Sequence, residues 1–140
     1  MALNYSSPDF SNSPGRRTVA RNYRRAIPSR GEIDASIITP YYDTETFFTE
    51  TFLSLQAQSL QNWEWVIVDD GSSDQKSVQR LADLAAQDDR IKTIFQPNAG
   101  PSAARNTSFR NTVGRYVCLL DSDDLLEPTY LEKCVWFLDS

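Results

Sequence analysis

The sequence contains no histidine among its 140 residues, and this absence excludes several kinds of site. A Ser-His-Asp triad, a Cys-His pair, a histidine general base and a histidine-ligated zinc site are all ruled out. Only two cysteines occur, Cys118 and Cys134, and their separation fits no CxxC motif. Because both stand in apolar stretches, we expect them to be reduced thiols in the core.

Two further absences concern membranes and phosphate loops. No apolar stretch approaches the roughly 20 residues that cross a bilayer, and no signal-peptide pattern occurs, so we expect a cytoplasmic or membrane-peripheral location. The five glycines match neither GxGxxG nor GxxxxGKS/T. This argues against a dinucleotide oxidoreductase and against a P-loop NTPase.

The composition, with 40% hydrophobic and 24% charged residues, suits one globular domain. The net charge of −5 is uneven, because the first 32 residues carry six arginines and only two acids. The remainder is strongly acidic, which argues against a nucleic-acid-binding surface. We predict a flexible basic arm over residues 1–33 and one folded domain over residues 34–140.

From Ala35 onward, strand and helix patterns alternate. The predicted strands are Ala35–Thr39, ended by Pro40, then Trp63–Val68, Ile91–Phe95 and a buried strand at Tyr116–Leu120. Helical spacing of apolar residues follows each strand. The predicted apolar faces include Phe48, Phe52 and Leu55 in the first helix, and Val78, Leu81, Ala82 and Ala85 in the second, with Ser73 or Asp74 as its cap. This alternation predicts an α/β fold with an open, mainly parallel sheet flanked by helices.

A polar cluster follows every predicted strand. The clusters are Pro40-Tyr41-Tyr42-Asp43, Asp69-Asp70, Asn98-Ala99-Gly100 and Asp121-Ser122-Asp123-Asp124. Because the carboxyl ends of parallel strands share one edge, where ligands bind at a switch in strand order, we expect the clusters to converge on one pocket.

The chemistry of these clusters is that of a nucleotide site. Closely spaced carboxylates repel one another unless a cation lies among them, and Mg²⁺ or Mn²⁺ suits an all-oxygen site. A ring of Tyr41 or Tyr42 can stack on a base, a carboxylate can accept from base or ribose, and a metal can join Asp123 to a diphosphate. Each cluster alone also has a structural interpretation: Asp69–Asp74 as a turn and cap, Arg105 as a surface charge, and the tyrosines as packing residues.

Four motifs, taken in order, resemble those of the family-2 glycosyltransferases. They are Ile37-Ile38-Thr39-Pro40-Tyr41-Tyr42-Asp43, Val66-Ile67-Val68-Asp69-Asp70-Gly71-Ser72-Ser73-Asp74, Asn98-Ala99-Gly100-Pro101-Ser102-Ala103-Ala104-Arg105-Asn106 and Leu120-Asp121-Ser122-Asp123-Asp124. The resemblance covers roughly residues 33–140. It implies the GT-A fold, which is Rossmann-like, a nucleotide-sugar donor, often a UDP-sugar, and hexosyl transfer with inversion, as in polysaccharide biosynthesis.

The resemblance also implies individual roles. The nucleotide-sugar-binding residues would be Thr39, Pro40, Tyr42, Glu45, Asp69, Asp70, Arg105 and Asp121. Asp121 and Asp123 match the Asp-x-Asp motif and would hold Mn²⁺ or Mg²⁺, with Asp123 as the more direct ligand. One departure is Asp43, where the family usually has Asn, so an amide donor is lost while an acceptor remains.

Members of this family continue well beyond the equivalent of Ser140. Their later part supplies the acceptor site and an acidic general base, so the resemblance predicts the catalytic base beyond Ser140. Because residues 135–140 form an apolar helix without a capping signal, we expect a truncated domain carrying the donor site, whose exposed apolar surface favours self-association.

The sequence is also compatible with other functions. The chain could be a non-catalytic nucleotide-binding or interaction module. An aspartyl-phosphate receiver domain needs a late lysine at a strand end, whereas Lys133 lies in the last predicted helix. A nucleotidyltransferase needs a glycine-rich, arginine-containing loop, which is missing after Thr39. A calcium loop starting at Asp121 is disfavoured, because Leu126 stands where that loop needs glycine. The acceptor can be a glycan, a lipid or a protein.

Overall fold

The computed structural model of the chain describes residues 32–44 and 46–140. The predicted basic arm lies outside the described residues except for its last two, and Glu45 also lies outside them. Within the described part, no helix is long and apolar enough to cross a membrane. The elements are β1 Ala35–Tyr41, α1 Phe47–Gln56, β2 Trp63–Asp69, α2 Gln75–Ala85, β3 Ile91–Phe95, α3 Pro101–Arg110, β4 Tyr116–Leu119 and α4 Tyr130–Asp139.

The four strands form one parallel sheet in the order β3-β2-β1-β4. The predicted open parallel sheet flanked by helices is therefore confirmed. The chain advances in one direction from β1 to β3, and α3 then returns it to the far side of β1. This reversal places the switch in strand order between β1 and β4, and in open α/β sheets ligands bind at such a switch.

The main core lies between one face of the sheet and α1, α2 and α4. Its centre is aromatic: the Trp65 ring lies 5.2 Å from the Phe48 ring and 6.3 Å from the Phe52 ring. Tyr41 meets Phe48 edge-on, with 4.8 Å between the ring centroids. The predicted buried face of α1, formed by Phe48, Phe52 and Leu55, is confirmed.

The buried face of α2 differs from the prediction. The helix buries Ser77, Leu81 and Leu84, whereas Val78 is 38% exposed and Ala82 is exposed. Polar bonds orient it, because the Ser77 hydroxyl donates to the carbonyl of Thr44. Counting apolar residues alone could not reveal this orientation. The predicted cap is confirmed, since the Asp74 carboxylate accepts from the Ser77 backbone N–H.

Pro40 does not end β1, contrary to the prediction. The strand continues to Tyr41, and Pro40 pairs with Val68 of β2. The carbonyl of Asp34 accepts from an N–H group of β4, and the carbonyl of Ile38 accepts from the N–H group of the residue after β4. Alternate residues of a strand turn their backbone groups to the same neighbour, so the backbone of Pro40 also faces β4. β4 ends at Leu119, and the carbonyl of the next residue, Leu120, accepts from the Thr39 hydroxyl in place of the N–H that proline lacks.

β4 is an edge strand rather than the buried strand that was predicted. Among the strands of the described residues it pairs with β1 alone, and Leu119 is 66% exposed. Cys118 and Cys134 are free thiols as expected, but they are half-buried and line a cavity of about 350 Å³ between β4 and α4. Burial raises the pKa of Cys118 to about 11, so this thiol stays protonated at neutral pH.

The other face of the sheet, which α3 covers, holds a buried charge. The Glu64 carboxylate accepts from the Ser36 hydroxyl at 2.6 Å and from the Val113 N–H at 2.7 Å, and it pairs with Lys92 Nζ at 2.6 Å. Burial acts to raise the pKa of Glu64, but Lys92 and the two hydrogen bonds outweigh burial and lower it. A Cβ at Gly114 would lie 2.5 Å from the Ser36 oxygen, so the chain passes close to this network.

We expect Glu64→Gln to lower the free energy of unfolding at pH 7 by about 1–3 kcal/mol, because the half-exposed Lys92 loses its buried partner. A carboxyl with a lowered pKa in the folded state stabilises above its unfolded pKa, and this contribution is lost as the pH falls through the folded pKa. The deficit of the variant should therefore shrink below the ordinary value of 4.5.

Urea unfolding at several pH values measures this effect. Glu50→Gln, which neutralises an exposed carboxylate on α1, is the matched control. A deficit that stays constant from pH 7 to the acid limit would show that the charge of Glu64 does not contribute.

Candidate functional site

Asp70 is the centre of a hydrogen-bond cluster directly after β2. Its side chain is only 3% exposed. One carboxylate oxygen accepts from Gln96 Nε2 at 2.7 Å and from the Ala99 N–H at 2.8 Å, and the other accepts from the Gly100 N–H at 2.9 Å. Burial acts to raise the pKa of Asp70, but these three bonds outweigh burial and lower it. The ionised carboxylate therefore ties the end of β2 to the start of α3.

Gly71 allows the loop after β2 to pass the loop after β3. Its φ angle is +79°, and a Cβ there would lie 2.7 Å from the backbone nitrogen of Asn98. The Asn98 side chain donates to the Asp70 carbonyl at 3.1 Å. In the same loop, Asp69 accepts from the Ser72 N–H at 2.9 Å, which matches the turn interpretation of this residue.

Asp43 joins the loop after β1 to the start of α2. One carboxylate oxygen accepts from the backbone N–H groups of Ser73 and Asp74, both at 2.8 Å, and the other accepts from the Ser73 hydroxyl at 3.0 Å. The residue has a φ angle of +42°, which Asp and Asn tolerate better than most residues. The contact uses acceptors, so the amide donor of the usual Asn is not needed for these two backbone bonds.

The structure separates the two tyrosines that follow the first strand pattern. Tyr41 is a core residue whose hydroxyl donates to the Ser77 carbonyl at 2.6 Å, so the packing interpretation holds for it. Tyr42 is 52% exposed, and its ring is accessible from solvent. Of the two rings, only that of Tyr42 is open to contact by a molecule from solvent.

Thr39 lies beneath the surface of the edge. Its side chain is fully buried; the hydroxyl donates to the Leu120 carbonyl at 2.6 Å and accepts from Trp65 Nε1 at 2.8 Å. That Thr39 contributes to the base pocket stays a prediction, and its buried hydroxyl would act there through its neighbours. The hydroxyl connects β1 to Trp65 of β2 and to Leu120 in the segment after β4.

Arg105 and Asp121 are brought together as an ion pair. Nη2 of Arg105, in the first half of α3, donates to Oδ1 of Asp121 at 2.9 Å, and both side chains are partly exposed. The turn after β4 is anchored through Ser122, whose carbonyl accepts from the Thr51 hydroxyl and whose hydroxyl accepts from that of Thr44. This anchoring leaves Asp121 and Asp123 exposed on either side of Ser122.

The donor set at Asp121 and Asp123 fits a hard divalent cation. The described residues contain no cluster of three or more His, Cys, Asp or Glu side chains that could enclose a metal. Mg²⁺ is commonly held by one or two carboxylates, with phosphate oxygens of the substrate and water completing the shell. Two exposed carboxylates at this edge match that kind of site and do not match a cation enclosed by protein alone.

Sequence reasoning missed Gln96 and Thr107, which contribute to the Asp70 cluster. Gln96 is the first residue after β3, so it stands where Asp70 stands after β2. The rule that was applied to the carboxylates, a polar residue directly after a strand, could have found it. The same rule could not have found Thr107, because this residue stands within a helix and not directly after a strand.

Comparison with known proteins gives a consistent result. The model of glycosyl transferase family 2 matches residues 36–140. A protein of Haemophilus influenzae named uncharacterized glycosyltransferase is 41% identical over 104 residues, which are 74% of this chain and 41% of that protein. Glycosyltransferase GlyA of Streptococcus pneumoniae is 41% identical over 97 residues, which are 69% of this chain and 14% of that protein.

A solved structure agrees with these relatives. The crystal structure of S. aureus TarS 1–349 in complex with UDP-GlcNAc matches with a TM-score of 0.69 and 30% identity, over 76% of this chain and 31% of that chain. The GT-A, Rossmann-like fold implied by the sequence motifs is thereby confirmed. The chain spans less than half the length of each of these three proteins.

We expect Asp43→Asn to change the free energy of unfolding by less than about 0.5 kcal/mol, because one amide oxygen can accept both backbone N–H groups. Asp43→Ala should cost about 1–2 kcal/mol, because it removes the acceptor at the start of α2 and keeps the positive φ angle.

Asp43→Gly separates the two contributions, since glycine removes the strain of the positive φ angle but not the loss of the acceptor. Thermal and urea unfolding of the three variants measure both effects. Equal stability of the Ala variant and the wild type would contradict the role of Asp43 as a link between the loops.

Proposed function

The chain belongs to glycosyl transferase family 2, and on this premise we propose that it is the donor-binding part of an enzyme that transfers a sugar from a nucleotide-sugar to an acceptor. The observation that carries the proposal is the placement of Arg105, Asp121 and Asp123 at the carboxyl edge, beside the switch in strand order. A donor bound there would meet both a cationic and an anionic side chain.

A UDP-sugar is the donor class that we propose. TarS, which is 30% identical to this chain over the matched part, was solved with UDP-GlcNAc. The exposed Tyr42 ring offers a stacking surface for a flat base. Pro40 and Glu45 are proposed to complete the base pocket.

Asp69 and Asp70 are proposed to bind the base or the ribose. A carboxylate accepts about four hydrogen bonds, and Asp70 already accepts three from the chain. The oxygen that accepts only from Gly100 has room for one further donor, such as a base N–H or a ribose hydroxyl. The lowered pKa of Asp70 keeps it an acceptor across the neutral range.

Asp121 and Asp123 would hold Mn²⁺ or Mg²⁺ together with the donor diphosphate, with Asp121 also within the reach of ribose. The cation would neutralise charge on the departing diphosphate. Arg105 contributes a second positive charge on this side and shares Asp121 with the metal site. Its guanidinium is proposed to approach the base from the start of α3.

Inverting transfer needs a general base on the face opposite the leaving diphosphate. We propose that this base is an acidic residue beyond Ser140 in a longer protein, together with the site for a glycan, lipid or protein acceptor. The location proposed for that protein is cytoplasmic or peripheral to the membrane. The 140-residue chain would then bind donor with little or no transfer.

The first test is calorimetric titration of the chain with UDP, GDP and dTDP, with and without Mn²⁺. We expect metal-dependent binding of UDP, and we expect Asp123→Ala to weaken it at least about 10-fold, because a ligand of the metal is lost. Asp89→Ala controls for the change in net charge, since Asp89 is exposed in the turn before β3 at the opposite end of the sheet.

Unchanged affinity for UDP and Mn²⁺ after Asp123→Ala would refute the site assignment. Binding of GDP or dTDP in place of UDP would refute the donor class alone. Hydrolysis of a bound nucleotide-sugar by this chain would exclude the alternative of a non-catalytic binding module.

A further inference from the structure

Gln96 has three hydrogen bonds that connect two loops to α3. Its backbone N–H donates to the Asp69 carbonyl at 2.9 Å, and its side-chain nitrogen donates to the Asp70 carboxylate at 2.7 Å. Its side-chain oxygen accepts from the Thr107 hydroxyl at 2.7 Å. The carboxylate can only accept, so the orientation of the amide is fixed, and the hydroxyl must donate to the remaining oxygen.

This arrangement holds α3 at two points along its axis. At the start of the helix, Ala99 and Gly100 donate to Asp70; two turns later, Thr107 donates to Gln96. The residues by which α3 packs on the sheet, Ala104 and Ser108, are fully buried and small. Small side chains constrain the rotation of a helix only weakly, and the hydrogen bond from Thr107 adds a directional restraint on the rotation of α3 about its axis.

Arg105 lies between these two attachment points. Its side chain extends across the switch in strand order, where Nη2 lies 2.9 Å from Oδ1 of Asp121. A rotation of about 10° moves an atom that lies about 6 Å from a helix axis by about 1 Å. A displacement of that size is enough to break a hydrogen-bonded ion pair or to misplace a bound group. The rotation of α3 therefore controls the pairing of Arg105 with Asp121.

We propose that Gln96 and Thr107 are positioning residues of the donor site, and that the chain of hydrogen bonds from Thr107 through Gln96 to Asp70 fixes α3 so that Arg105 stays opposite Asp121. This inference rests on the proposed function, in which Asp70, Arg105 and Asp121 bind the nucleotide. It assigns a role to two residues that do not themselves contact the donor.

Three substitutions on α3 test the proposal. Thr107→Val removes the hydroxyl and keeps the shape, whereas Thr107→Ser keeps the hydroxyl. Ser108→Ala is the matched control, because Ser108 is buried on the same helix and, in the part of the chain that the structure describes, its hydroxyl bonds only to the Ala104 carbonyl of that helix. Each variant is measured for UDP affinity by calorimetry with Mn²⁺, and for the Arg105 side-chain Nε–H resonance by NMR without nucleotide.

We expect Thr107→Val to weaken UDP binding about 2- to 10-fold, the range for loss of one hydrogen bond, and to shift the Arg105 resonance. Thr107→Ser and Ser108→Ala should stay within about twofold of the wild type and leave the resonance in place. Rescue by serine distinguishes positioning by the hydroxyl from a packing role of the threonine.

Wild-type affinity and an unshifted Arg105 resonance in Thr107→Val would overturn the inference and leave the proposed function intact. Equal losses in Thr107→Val and Ser108→Ala, or in Thr107→Val and Thr107→Ser, would also overturn it. If the wild type binds none of the nucleoside diphosphates, the proposed function fails; a shifted Arg105 resonance in Thr107→Val would then support the positioning role, and an unshifted one would refute it.

Discussion

A carboxylate that is removed from water is stable only when hydrogen-bond donors replace the water, and this requirement shapes the edge of the sheet. Asp70 meets it with three donors, all from the connection between β3 and α3. The loops after β2 and β3 must therefore lie against each other. Gly71 and Gly100, both with positive φ angles, provide the backbone conformations that this close approach needs. The position of α3, and of Arg105 on it, follows from that contact.

The same requirement is met at the other end of the sheet by different means. Glu64 is surrounded by a lysine, a hydroxyl and a backbone N–H, which come from β3, β1 and the connection after α3. The segment around α3 is thus attached to a buried carboxylate near each end of the helix: to Asp70 at its start and to Glu64 after its end. The two carboxylates lie near the two ends of β2, one within the strand and one directly after it, and the connection from β3 to β4 is fixed between them.

The order of elements and the shared edge could be predicted, because both depend on local patterns. Apolar runs mark the strands, and parallel connections bring the polar residues after them together. The errors concern properties that depend on distant residues. The exposure of β4 depends on whether another element covers its second edge, and the buried face of α2 depends on a serine that bonds across to Thr44. The burial of Thr39, which no local pattern indicates, depends in the same way on Trp65 and Leu120. None of these partners stands near in the sequence.

Pro40 has a consequence for the shape of the edge. Strands in a sheet can continue to pair for as long as each backbone offers donors to its neighbour, and Pro40 removes one donor on the side that faces β4. The last backbone bond on that side joins Leu120 to Ile38, and the Thr39 hydroxyl then bonds to the Leu120 carbonyl. Backbone pairing between β1 and the segment after β4 therefore ends directly before Asp121. This limit is set by the covalent structure of proline, so no change in the conformation of nearby side chains can add a backbone donor at position 40.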